Sequence, residues 1–184
     1  MGTKIIFLFL SVALFFADAY LAFGIWFRGK RNTYLKIFFA IGLMFSTWAL
    51  FNGFVILLSE ELYRQVYPYY FVLGCVIPPL FLLYILHFTE STLARSRVLT
   101  TFLMVLAAID VLVLLTNPLH LEFIADYDGL LPIGGNWAPV HFVIGYGPLV
   151  FAVIILFRYV IKNIKNTPGL SVVGLAVLFP IVSN

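Results

Sequence analysis

Val98–Thr116 reads VLTTFLMVLAAIDVLVLLT, an apolar run carrying a single carboxylate, Asp110. About 20 residues at about 1.5 Å rise cross the hydrocarbon core of a bilayer, so a run of this length and purity is a candidate membrane helix. Working outward, four more runs qualify, at 5–27, 37–58, 66–88 and 138–157, which makes five full spans. A sixth begins near Leu170 and reaches Asn184, short of a full crossing, and reads as a bundle truncated at its C-terminus. Composition agrees: of 184 residues, 63% are hydrophobic and 10% charged, with mean hydropathy +1.08. A soluble domain of this size cannot hide that much apolar surface. The expected fold class is all-α, a polytopic transmembrane helix bundle in which residues 1–184 form one membrane domain and the lipid bilayer is the solvent.

Basic residues set the expected orientation. Arg28, Lys30, Arg31 and Lys36 flank the first connection, Arg95 and Arg97 the third, and Arg158, Lys162 and Lys165 the fifth. These are nine of the eleven Lys and Arg, leaving Lys4 and Arg64 for the other side. Positive charge in short loops marks the cytoplasmic face, so the N-terminus and the 117–137 loop are expected outside. The same asymmetry makes the basic residues topology signals, not a nucleic-acid footprint. Lys4, the run Ile5–Phe16 and Ala17-Asp18-Ala19 imitate a cleavable signal peptide. The apolar run continues past that point to Phe27, however, which favours an uncleaved first helix. Cys75 is the only cysteine, so no disulfide framework exists.

The 117–137 connection is longer than two antiparallel helices need, and such loops are usually structured or functional. Leu121–Tyr127 and Leu130–Ile133 can pair as short strands about Asp128-Gly129, a type I′ turn signal. A small extracytoplasmic β-hairpin is expected there, between spans four and five, as a folded lid that contributes to signal detection. Trp137 re-enters the membrane at headgroup level. Pro78-Pro79 should interrupt the third span, because each proline removes a backbone donor.

These motifs resemble the seven-transmembrane N-terminal sensor region of bacterial histidine kinases, a region also found on diguanylate cyclases. The resemblance spans roughly residues 10–184. It rests on Trp48-Ala49-Leu50, Pro78-Pro79-Leu80, Phe88-Thr89, Thr116-Asn117-Pro118 with His120, Trp137 with His141 and Tyr146, and Pro180 with Asn184. Ala138-Pro139 departs from the aromatic residues common there. The resemblance implies a seventh helix, a location in the bacterial plasma membrane, and a cytoplasmic output domain that carries any kinase or cyclase activity. It names no ligand.

Polar residues inside the spans are the candidate site. A central Asp costs about 2.5–3.5 kcal/mol on insertion scales, so Asp18 and Asp110 should face the bundle interior. Counted at about 1.5 Å per residue from the hairpin-side helix ends, Asp110 lies roughly 8 Å deep and Asp18 roughly 20 Å, too far apart to share a proton. The same count places Asn52 at roughly 9 Å, Tyr70 at roughly 6 Å, His141 at roughly 5 Å and Tyr146 at roughly 12 Å. With Trp137 above them, these six residues (Asn52, Tyr70, Asp110, Trp137, His141, Tyr146) form a polar tier from four helices. A small-molecule pocket and a plain interhelical hydrogen-bond network are both open readings.

No metal or cofactor is expected: His120, Glu122, Asp126 and Asp128 match no zinc or calcium spacing. Gly-rich phosphate loops, H-E-x-x-H and G-x-S-x-G are all missing, so the chain itself is not expected to be an enzyme. The expected function is the sensory input domain of a signalling protein, with its own output domain as partner and a homodimer as a further arrangement. The alternative is a fragment of a small-molecule transporter, favoured by Asp18 and Pro78-Pro79 and opposed by the lack of an internal repeat.

Overall fold

A computed structural model describes residues 2–28 and 33–163. The expected sixth span at 170–184, together with Lys30, Arg31 and Lys165, lies outside the described residues. Within them, five helical stretches are long and apolar enough to cross a membrane: Lys4–Gly24, Thr33–Val55, Glu60–Phe88, Arg97–Leu115 and Ala138–Asn163. The protein is membrane-embedded and multi-pass.

α1 (Gly2–Arg28) and α2 (Thr33–Val55) run against each other along their lengths, and α1 packs chiefly on α2. Small residues make the close approach, as expected where lipid removes any hydrophobic drive to associate. A Cβ built on Gly42 would lie 2.8 Å from Ala22 Cβ, and one on Gly53 would lie 2.7 Å from Ser11 Cβ. Gly42→Val is therefore expected to lift α1 from α2 at a cost of about 1–3 kcal/mol. Gly24→Val is the control, because a Cβ there meets nothing within 4 Å. Equal unfolding midpoints for the two variants in detergent titration would show that this contact does not hold the pair.

The third crossing is two helices, α3 (Glu60–Tyr70) and α4 (Val72–Phe88). Ser59 caps α3 by accepting from the Leu62 amide. The interruption falls at Phe71, whose amide bonds back to the Pro68 carbonyl at 3.2 Å. It does not fall at Pro78-Pro79, where helix continues on both sides. The carbonyl that Pro78 leaves without its helical donor belongs to Gly74, and that oxygen faces Gly145 across the bundle, 3.8 Å from a built Cβ. α4 is the central element, packing on α2, α5 (Arg97–Leu115) and α7 (Ala138–Asn163). Leu82, Leu83, Ile85 and Leu86 of α4 meet Leu103 of α5 and Ala152, Leu156 and Val160 of α7 in the apolar core. A Ser96 cap starts α5, accepting from Leu99 at 3.2 Å.

Between α5 and α7 the chain makes one helical turn, α6 (Asn117–His120), and then a hairpin of β1 (Ile124–Asp128) and β2 (Leu131–Gly134). The expected hairpin is present with a shifted turn. Asp128 pairs with Leu131, so Gly129 and Leu130 form the two-residue loop. Gly129 takes φ +59° and Leu130 is not at positive φ, which is the type II′ pattern rather than I′. A bulge between Ile124 and Asp126 bends the strand.

Candidate functional site beneath the hairpin

α5 presents Leu103, Ala107, Asp110 and Leu114 on one buried stripe at helical spacing, so the Asp110 carboxylate points into the bundle and is fully buried. Trp137 and His141, four residues apart at the start of α7, share a face and both reach that carboxylate. The Trp137 indole N–H donates to Asp110 Oδ1 at 2.8 Å. His141 Nδ1 lies 2.8 Å from Asp110 Oδ2. Each carboxylate oxygen therefore has its own partner, the condition for keeping a carboxylate away from water.

Cys75 of α4 completes the group from a third helix. Its Sγ lies 3.9 Å from His141 Nδ1 and 3.3 Å from the Phe71 carbonyl oxygen. The Phe71 carbonyl accepts from the Cys75 amide at 3.1 Å as α4 begins and meets the thiol of the same residue, while the Phe71 ring lies edge-on to the imidazole at 5.7 Å. Phe123 approaches the same imidazole from above at 4.9 Å.

The roof is fastened by Asn117. Its Oδ1 accepts from the amides of Phe123 (2.8 Å) and Ile124 (3.0 Å), and its Nδ2 donates to the Ile124 carbonyl at 3.1 Å. Phe123 and Ile124 are buried as a result, and pack with Cys75 and Leu114. Gly135 is needed here because a Cβ would strike the Glu122 and Leu121 carbonyls. Those carbonyls lie close because the Trp137 and Gly135 amides bond to Glu122 and Phe123. At the hairpin tip, Arg64 of α3 donates to the Gly129 carbonyl at 3.1 Å, and Tyr127 Oη donates to the Arg64 carbonyl at 2.9 Å. Burial, and secondarily Tyr67, pushes the Tyr127 phenol up to about 12, so it stays a neutral donor throughout the physiological range.

Residues 7–184 match the family described as the N-terminal 7TM region of histidine kinase. The chain belongs to that family. No curated protein and no solved structure matches it.

Three of the six residues expected at the site of this histidine-kinase 7TM region come together: Asp110, Trp137 and His141. The other three have different surroundings. The Tyr70 hydroxyl faces Asn52, and its ring packs on Trp48 and Tyr67. Asn52 also lines a separate cleft of about 320 Å³ between α1 and α2, with Ser11, Asp18 and Trp48. Tyr146 is mostly exposed and stacks on Phe142. Of the polar loop residues, His120 has both ring nitrogens engaged locally, Nδ1 by the Glu122 amide and Nε2 by Thr116 Oγ1. Cys75 and Asn117 were not among the six residues expected at the site, although Asn117 was one of those that carry the family resemblance. Asn117 carried one usable signal, an amide side chain at the join between an apolar helix and a turn-forming Pro118.

Proposed function

We propose that this chain is the sensory input domain of a bacterial signal-transduction protein, detecting a signal at the outer face of the plasma membrane and relaying it to a cytoplasmic histidine-kinase or diguanylate-cyclase domain. The observation that carries this reading is the Asp110 carboxylate, buried between two helices and held by Trp137 and His141 directly below a fastened hairpin. A plain bundle needs neither a buried carboxylate nor a roof over it. A signal that binds one packing of these side chains more tightly than another shifts the population toward it, and the helices carry the difference across the membrane. Membership of a family of non-catalytic input regions supports the assignment. The basic residues Arg95, Arg97, Arg158 and Lys162, at the helix ends away from the hairpin, support an outside hairpin.

Two measurements test it. In intact cells, a membrane-impermeant maleimide should label a cysteine placed at exposed Leu131 and spare one placed at Asn163. Labelling at 163 and not at 131 inverts the orientation. In the protein carrying its output domain, Asp110→Asn should change the reporter response while leaving membrane insertion intact. An unchanged response would remove the site from signalling.

A further inference from the structure

We propose that Cys75, Asp110 and His141 form a three-ligand site for a transition-metal dication of the zinc class. The inference deepens the sensory reading, on which its biological role rests, by naming the chemical class of the ligand. The three side chains come from α4, α5 and α7, are all buried, and offer one sulfur, one oxygen and one nitrogen within 4.8 Å of one another. A tetrahedral zinc with bonds of about 2.0–2.3 Å sets its ligand atoms roughly 3.3–3.6 Å apart. The observed separations, 2.8 Å between His141 Nδ1 and Asp110 Oδ2 and 3.9 Å between Cys75 Sγ and His141 Nδ1, bracket that range. The third pair, Cys75 and Asp110, lies within 4.8 Å, so closure on a metal takes movements of up to about 1 Å.

The donor set decides the metal. Thiolate with imidazole suits zinc and its neighbours, whereas calcium and magnesium take oxygen ligands in greater number. Charge favours a dication. With Asp110 ionised, the metal-free group carries one negative charge. A dication that displaces the Cys75 thiol proton leaves thiolate, carboxylate and metal with no net charge, the best state for a site walled by Phe71, Phe123 and Leu114. The imidazole keeps one proton, moved to Nε2 so that Nδ1 can ligate. Trp137 remains on the second carboxylate oxygen and orients Asp110, the outer-sphere hydrogen bond that metal sites use. Three protein ligands leave a fourth position for water or a small anion. A buried cysteine is by default a small apolar residue, and the Sγ–Phe71 contact would satisfy that role alone. It does not account for the convergence of a carboxylate and an imidazole from two other helices on the same point.

Cobalt(II) titration of the purified chain in lipid nanodiscs tests the site. Cys75 is the only thiol, so a thiolate-to-cobalt charge-transfer band can arise nowhere else. The expected result is that band, saturating at one cobalt per chain at micromolar concentration and abolished by added zinc. Cys75→Ser should lose it with helicity unchanged, and Trp137→Phe should weaken binding about 10-fold or more. Folded parent protein that takes up cobalt without the band, or takes up none, would overturn the proposal whatever the variants do. The sensory reading stands or falls separately. Zinc bound through Cys75 with no effect of zinc or chelator on reporter output would keep the metal site and reject its signalling role. Absence of the band alongside an altered response in Asp110→Asn would do the reverse.

Discussion

Asp110→Leu is expected to cost about 2–6 kcal/mol, because two donors, the part-buried Trp137 Nε1–H and the buried His141 ring, lose their acceptor together and each stranded group costs about 1–3 kcal/mol. Asp110→Asn should cost less, since the amide oxygen can still accept from Trp137 while the amide NH2 faces His141 Nδ1, which can switch tautomer and accept. The pair is separated from its surroundings by a double-mutant cycle of Asp110→Asn with His141→Gln, read from unfolding midpoints in lipid–detergent mixtures. Coupling well above 0.5 kcal/mol is expected. Effects that add to within about 0.3–0.5 kcal/mol would mean that the 2.8 Å contact contributes no specific stability.

The second large effect is expected at Asn117. Asn117→Ala removes three buried hydrogen bonds that no solvent can replace, at about 1 kcal/mol each and about 3 kcal/mol in all. The loss should fall on the roof and not on the spans, whose stability comes from apolar packing along their length. Amide exchange reads the difference: Phe123 and Ile124 should lose about 100-fold of their protection, because each 1.4 kcal/mol is tenfold. Amides in the middle of α4 should be unchanged. Asn117→Asp is the finer probe, since it keeps both accepting bonds and loses only the donation to the Ile124 carbonyl. Exchange at Phe123 that is unaltered in Asn117→Ala would show that the hairpin is held by its apolar contacts alone.

The spans were legible in the sequence because lipid allows few alternatives. Apolar runs bounded by Arg and Lys placed the helices to within a few residues at most ends, whereas the Ser59 and Ser96 caps that start two of them were not read from the sequence. The hairpin was legible from Asp128-Gly129, though which two residues form the loop was not, since a lone glycine at positive φ suits type II′ as well as I′. The polar tier was legible in depth only. Counting residues gives height along a helix and says nothing of direction around it. Trp137 and His141, one turn apart, fall on one face. Tyr146, five residues beyond His141, is rotated by about 140° and points elsewhere. Asn52 and Tyr70 share the height of Asp110 but lie in the α2–α3 part of the bundle. Cys75 escaped notice because a cysteine within an apolar run looks like any small hydrophobe until its neighbours from other helices are known. The break at Phe71 was masked by the stronger signal at Pro78-Pro79, through which α4 nevertheless continues.

Among the described residues, three side chains tie elements together at the hairpin end. Asp110 holds α7, Asn117 holds the hairpin to the end of α5, and Arg64 clips the hairpin to α3. Towards the other end, Leu86, Leu103, Leu156 and Val160 meet through apolar contact, which is non-directional. With the hairpin end as a pivot, each helix would act as a lever arm. α7 has 26 residues and is about 39 Å long, so a turn of about 3° at the pivot sweeps its far tip through about 2 Å. Displacements of about 1–2 Å are what two-state helix interfaces use to change partners. Under the sensory reading proposed above, a small rearrangement around one carboxylate would reach the opposite side of the membrane as a step of that size.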